Sequence, residues 1–217
     1  MKNTIYKEMF MDLNTIKNKI EGRNAKPLNV VKKYSVILPL VIVDGELHIL
    51  YEVRSKNLNT QPGEISFPGG KVEEGENYKE AAIRETCEEL NICKDDIKVL
   101  GELDYIVSPY NFKLHIYCGI IDNVDVNDIR CNKDEVDHIF TVPLNYFLRN
   151  NPMEYNIELE TVIGEDFPYH LIQNGKEYNW RKGLYPVFFY EYNNYVIWGM
   201  TARFTKNFID ILNGEVK

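Results

Sequence analysis

Glu85, Glu88 and Glu89 are the residues whose type and spacing are best suited to chemistry. If residues 78–90 form a helix, a 100° step per residue puts Ile83, Cys87 and Leu90 on one side and the three carboxylates on the other. Like charges three and four residues apart cost a helix about 0.2–0.5 kcal/mol per pair, and Arg84, four residues before Glu88, relieves only part of this. A divalent cation relieves more, because hard ions such as Mg²⁺ take oxygen ligands and reach proteins through one or two carboxylates together with substrate phosphates. A solvated acidic face is the alternative reading of the glutamates taken alone. The upstream run Phe67-Pro68-Gly69-Gly70-Lys71 favours the first reading, since paired glycines let a turn approach an ion or phosphate closely.

With Glu76 included, the spacing Gly70-x5-Glu76-x7-Arg84-Glu85-x2-Glu88-Glu89 resembles the Nudix box, the signature of enzymes that hydrolyse nucleoside diphosphates linked to another moiety. Two positions depart from the usual pattern: Thr86 stands where an aliphatic residue is typical, and Asn91 replaces a glycine. Both are tolerable, because Thr86 projects to the border of the apolar face and Asn is the next-best residue for a left-handed helix end. The resemblance implies that Glu85, Glu88 and Glu89 ligate Mg²⁺ or Mn²⁺, with the Gly69 carbonyl as a further ligand. It implies that Arg84 pairs with Glu76 to hold the loop and helix together, with direct substrate contact as the alternative. It also implies in-line attack by water, with Glu85 or Glu135 as the base, so Glu85, Glu135 and Arg84 form the expected catalytic set.

The flanks narrow the resemblance. Leu50-Tyr51-Glu52-Val53-Arg54-Ser55, followed by Gly63-x3-Phe67-Pro68-Gly69-Gly70, resembles the accessory motif of the coenzyme A diphosphatase branch. Further matches are Ser108-Pro109, Asp134-Glu135-Val136, Phe140-x-Val142-Pro143-Leu144 and Ile197-Trp198-Gly199-Met200-Thr201-Ala202-Arg203, so the likeness covers about residues 35–210. The motif normally has an arginine where this chain has Asn59. The implied reaction is cleavage of coenzyme A or its derivatives to 3′,5′-ADP and 4′-phosphopantetheine. ADP-ribose or a dinucleotide is the alternative substrate, and a non-catalytic nucleotide sensor the alternative class. Arg54, Lys56 and Lys71 are the cations that would meet substrate phosphates, or would simply be solvated. Tyr105 and Tyr110 are read as core packing, with adenine stacking as the alternative; Phe67 and Trp198 are read as packing, and His115 and His138 as structural.

These groups need a scaffold. Apolar spacings of three and four predict a helix over 5–21, ending near Gly22. Strands are predicted at 35–43 and 47–52 around an Asp44-Gly45 turn, then at 97–103, 105–107, 114–121, 139–142, 187–190 and 195–198. Helices are predicted at 78–90, with Asn77 and Glu80 as a capping box, at 144–148, and at 202–212 with Thr201 as N-cap and Gly214 beyond the end. The expected fold is α/β (α+β), a Nudix-type α/β/α sandwich with a mixed sheet between helices. Residues 1–30 form an N-terminal helical extension and 31–217 the Nudix domain. The extension and the turn-rich segment 150–185 are each read as a dimer surface or a substrate lid, which makes a homodimer an expected partner.

Composition sets the remaining bounds. A net charge of −8 in 217 residues argues against a nucleic-acid polymer as partner. No stretch approaches the roughly 18 uninterrupted apolar residues of a membrane span, and the start Met1-Lys2-Asn3-Thr4 lacks the apolar core of a secretory signal, so a cytoplasmic location is expected. Cys87, Cys93, Cys118 and Cys131 include no C-x-x-C pair and read as reduced, partly buried small hydrophobes.

Overall fold

The computed structural model describes residues 12–215. Helix α1 (Leu13–Ile20) is capped by Asp12, whose carboxylate accepts from the Thr15 N–H at 2.7 Å, and it buries none of its residues. It is part of the helix expected over 5–21; residues 5–11 lie outside the described residues. Strands β1 (Lys32–Val43) and β2 (Glu46–Arg54) form a hairpin whose turn residues, Asp44 and Gly45, have φ of 51° and 82°. Positive φ at both positions matches the twist of the flanking strands.

Short strands β3 (Ile65–Ser66) and β4 (Gly69–Lys71) lead into helix α2 (Tyr78–Leu90). Strands β5 (Ile97–Glu102), β6 (Ile106–Val107), β7 (Phe112–Ile121) and β8 (Val136–Pro143) complete the main sheet, and helix α3 (Leu144–Arg149) follows. The chain ends with β9 (Met153–Leu159), β10 (Gly183–Tyr192), β11 (Tyr195–Trp198) and helix α4 (Gly199–Asn213).

The main sheet runs β3-β2-β1-β7-β5, with β8 paired to β2, β4 to β1 and β6 to β7. It is mixed, because β1 and β7 are parallel while the other pairings are antiparallel. Strand β1 is apolar on both faces, as a central strand with helices on either side must be. Ile37 packs with Ala82 and Ile83 of α2, whereas Leu38 and Leu40 pack in the cluster that holds Phe147 of α3 and Phe204 and Phe208 of α4. Each fully buried side chain of this size contributes roughly 1.5–3 kcal/mol. The expected sheet between helices is therefore the architecture found.

A second antiparallel sheet, β11-β10-β9, joins the same core through Phe188, Tyr190 and Ile197. The buried Tyr51 hydroxyl meets the Thr205 hydroxyl at 2.9 Å, tying β2 to α4.

Several expectations are corrected. Helix α4 begins at Gly199 with Trp198 as N-cap, and Thr201 is no cap because its hydroxyl donates to the Ile65 carbonyl at 2.9 Å. Strand β9 and the early part of β10 occupy the segment 150–185, where no strand was expected; β9 is almost wholly exposed, so burial imposed no apolar run on its sequence. Tyr105 and Tyr110 are not core residues, being 53% and 76% exposed, and Trp198 is half-exposed. Cys118 and Cys131 are buried and Cys87 half-buried, but Cys93 is exposed in the turn after α2.

Candidate active site

Helix α2 carries the central groups, and both of its ends are fixed locally. The Asn77 side chain accepts from the Glu80 N–H and the Glu80 carboxylate accepts from the Asn77 N–H, each at 3.0 Å, which is a capping box. At the other end Asn91 takes the left-handed conformation, φ 51° and ψ 46°, and its side-chain amide donates to the Arg130 carbonyl at 2.7 Å. Thr86 is fully buried and satisfies its hydroxyl on the Ala82 carbonyl at 2.7 Å. Both departures from the box are thus accommodated within the fold.

Arg84 clamps the preceding loop to the helix. It donates to Glu76 through Nε at 3.0 Å and Nη2 at 3.2 Å, to the Lys71 carbonyl at 3.1 Å, and to Glu88 at 3.1 Å. It also stands 3.1 Å from a Glu85 oxygen. The two-pronged bond holds the Glu76 carboxyl below its ordinary value, and the Arg84 guanidinium is correspondingly pushed up.

The glycine turn closes onto the same helix. The Gly69 N–H donates to Glu89 Oε2 at 2.7 Å, and Gly69 has φ of 146° against the β1 backbone. A Cβ on Gly70 would lie 2.4–2.5 Å from the Glu85 carboxylate, so the space a side chain would fill holds that carboxylate. Glu135 arrives from the turn before β8. A bulge between Val53 and Arg54 shifts the β2–β8 register, and the Ser55 N–H donates to the Glu135 carbonyl at 2.8 Å.

A fourth glutamate in this neighbourhood received no role from the sequence. Glu52 of β2 is 1% exposed; its Oε1 accepts from the Ser66 hydroxyl at 2.8 Å, and its Oε2 has no partner among the described residues. The signal for it was present: a charged residue interrupts the buried run Leu50-Tyr51-Glu52-Val53. Burial raises the Glu52 carboxyl above its ordinary value; burial and then the charge of Glu52 raise Glu89; burial also raises Glu85, with Arg84 partly opposing.

Among the described residues no three His, Cys, Asp or Glu side chains form a ready-made metal cage. The donor set nevertheless fits a hard cation: every side-chain donor is a carboxylate oxygen, two of the carboxylates are almost completely buried, and one oxygen of Glu52 is unpartnered among the described residues. These shifts have a consequence for stability. A native carboxyl raised above its unfolded value near 4.5 stabilises the fold at low pH, and that contribution is lost as pH rises through the native value. Melting in chelator should therefore weaken steadily from about pH 5 to pH 8, and Mn²⁺ or Mg²⁺ should restore stability most at the alkaline end. A flat profile in chelator would refute the burial-raised carboxyls.

The cleft in front of these groups has a volume of about 890 Å³. Glu85, Glu89 and Glu135 line it, as do Arg54, Lys71 and Lys32. Lys32 had not been singled out from the sequence. Lys56, Glu88, Arg84 and Asn59 do not line the cleft, although Leu58 and Thr60 do. Its apolar lining comes from β9, β10, β11 and α4, including Ile157, Tyr185, Val187, Trp198 and Met200, and from the main sheet through Val36 and Leu114. Trp198 thus belongs to the cleft, as does Tyr110. His115 is buried between the rings of Tyr78 and Tyr105, at 3.7 and 4.7 Å, with its Nδ1 on the Glu102 carboxylate; His138 bonds the Tyr195 hydroxyl at 3.0 Å.

These elements make up an α/β/α protein in which glutamates beside a glycine turn line a cleft. The family model described as the NUDIX domain matches residues 33–163, and the chain belongs to the Nudix family. It is 32% identical over 146 residues to Nudix hydrolase 3 of Caenorhabditis elegans, covering 66% of this chain and 61% of that protein. It is 33% identical over 174 residues to peroxisomal coenzyme A diphosphatase NUDT7 of Mus musculus, covering 79% and 66%. It is 29% identical over 180 residues to mitochondrial coenzyme A diphosphatase NUDT8 of Homo sapiens, covering 82% and 68%. The chain thus spans about two thirds or less of the length of the first two. Among the described residues no helix is long and apolar enough to cross a membrane.

Proposed function

We propose that this protein is a divalent-metal-dependent diphosphatase acting on coenzyme A or its derivatives, releasing 3′,5′-ADP and 4′-phosphopantetheine. The observation that supports the reading is the lining of the cleft, which combines carboxylates and three cations with an extensive apolar surface. A diphosphate joined to an extended, weakly polar arm matches that combination. Two relatives named coenzyme A diphosphatase agree with it.

Glu89, Glu85 and Glu88 would hold the cation, Mg²⁺ or Mn²⁺, with the Gly69 carbonyl beside them. The chemistry such an ion supplies when bound is neutralisation of charge on the diphosphate and a lowered pKa for the attacking water. Arg54, Lys71 and Lys32 orient the phosphates by charge-assisted hydrogen bonds. Glu135 takes the proton from the water: no hydrogen bond or ion pair engages its carboxylate among the described residues, whereas Arg84 stands 3.1 Å from Glu85. Arg84 acts by holding the loop and helix in register.

A second reading, hydrolysis of ADP-ribose or a dinucleotide, draws on Asn59 in place of the arginine of the accessory motif. Product analysis with coenzyme A, ADP-ribose and a dinucleotide, each with Mg²⁺ or Mn²⁺, separates the two. Formation of 3′,5′-ADP from coenzyme A at a kcat/KM at least tenfold above the others is expected; preference for ADP-ribose would replace the first reading by the second. Binding without turnover of any of the three would make the protein a sensor.

A further inference from the structure

We propose that Glu52 is a further carboxylate of the cation centre, contributed by the sheet rather than by helix α2; the proposal rests on the metal-dependent reading above. A glutamate in the middle of a buried strand is costly unless both of its oxygens are engaged. Only one is: Oε1 accepts from Ser66 at 2.8 Å, while Oε2 is buried and without a partner among the described residues.

The direction of that carboxylate follows from the strand and from the turn. Glu52 lies two residues along β2 from Leu50, hence on the same face of the strand, and Leu50 packs in the cluster that holds Leu90 of α2. Glu89 is the helical neighbour of Leu90. The turn then pins both acids from one short segment: Ser66 donates to Glu52, and the Gly69 N–H, three residues on, donates to Glu89 at 2.7 Å. Ser66 and Gly69 both line the cleft beside Glu85 and Glu135. The unpartnered Glu52 oxygen and the buried Glu89 carboxylate are thus held by opposite ends of the turn that fronts the cleft. A cation entering between them would give Glu52 Oε2 the partner it lacks.

The test is Mn²⁺ binding to the full-length protein without substrate, read by the electron paramagnetic resonance signal of free Mn²⁺. Glu52→Gln keeps the side chain's shape and its acceptor for Ser66 while removing the charge. Its Kd for Mn²⁺ should rise at least tenfold, and the bound-Mn²⁺ spectrum should change, with circular dichroism unaltered. A folded variant that binds Mn²⁺ with wild-type affinity overturns the role of Glu52. If Glu52→Gln does not fold, Glu52→Asp is read instead; it keeps the charge but withdraws the carboxylate by one methylene, and unchanged affinity there is equally decisive. Failure of the wild-type protein to bind Mn²⁺ would defeat the metal-dependent reading as a whole, whereas binding that ignores Glu52 defeats this proposal alone.

Discussion

Glu89→Gln should lower turnover of coenzyme A by about 10³-fold, equivalent to roughly 4 kcal/mol of transition-state stabilisation. The fold should survive, because the amide oxygen of glutamine can still accept from the Gly69 N–H and the volume at this buried position is unchanged. A neutral side chain also removes the charge that burial and Glu52 both oppose. The variant should therefore melt at or above the wild-type temperature in chelator at pH 8, while losing the stabilisation that Mn²⁺ confers. Steady-state product formation and melting with and without Mn²⁺ measure the two effects separately. Near-normal turnover would remove Glu89 from the catalytic centre.

The adjacent glycines give the second large effect, and they should fail in different ways. At Gly70 the atoms nearest to an added methyl are those of the Glu85 carboxylate, the far end of a flexible side chain. Gly70→Ala should displace that carboxylate, reduce turnover by at least about 10²-fold, or roughly 3 kcal/mol, and shift the melting temperature by only a few degrees. At Gly69 the methyl would lie 2.4 Å from the Ser35 carbonyl oxygen and 2.5 Å from the Val36 Cα, at a φ of 146°. Both atoms are backbone of the central strand and cannot rotate away. Overpacking of this kind costs about 1–3 kcal/mol, and unfavourable backbone conformation adds on the order of 1–3 kcal/mol. At about 2–4 °C per kcal/mol for a domain of this size, Gly69→Ala should lower the melting temperature by roughly 5–20 °C. Equal melting temperatures for the two variants would show that the turn is not held against β1 as described.

How much was legible in the sequence depended on whether a residue's role is local. Asn77 and Glu80 cap α2 because a helix leaves its first N–H groups unpaired wherever it occurs, and that demand is readable from spacing alone. The Asp44-Gly45 hairpin, the left-handed Asn91 and the glutamate face of α2 are of the same kind, as is the uninterrupted apolar run of β1 that requires a layer on each side of the sheet. Strand β9 was missed because its face is solvent-exposed and leaves no apolar run. Thr201 was misread because its hydroxyl answers to Ile65, distant in sequence, rather than to its own helix.

Local rules alone specify the candidate segment, a glycine turn, a clamped loop and a helix of glutamates, all within 24 residues. What faces that segment depends on tertiary packing. Glu52 meets the turn through the β2–β3 pairing that sets it opposite Ser66, Glu135 comes to the cleft from the turn before β8, and much of the apolar wall comes from the second sheet and α4, which pack on the same core. Burial, unlike helical spacing, is a property of chain segments far apart in sequence, and it is burial that leaves a carboxylate oxygen without a partner and raises the acids around it.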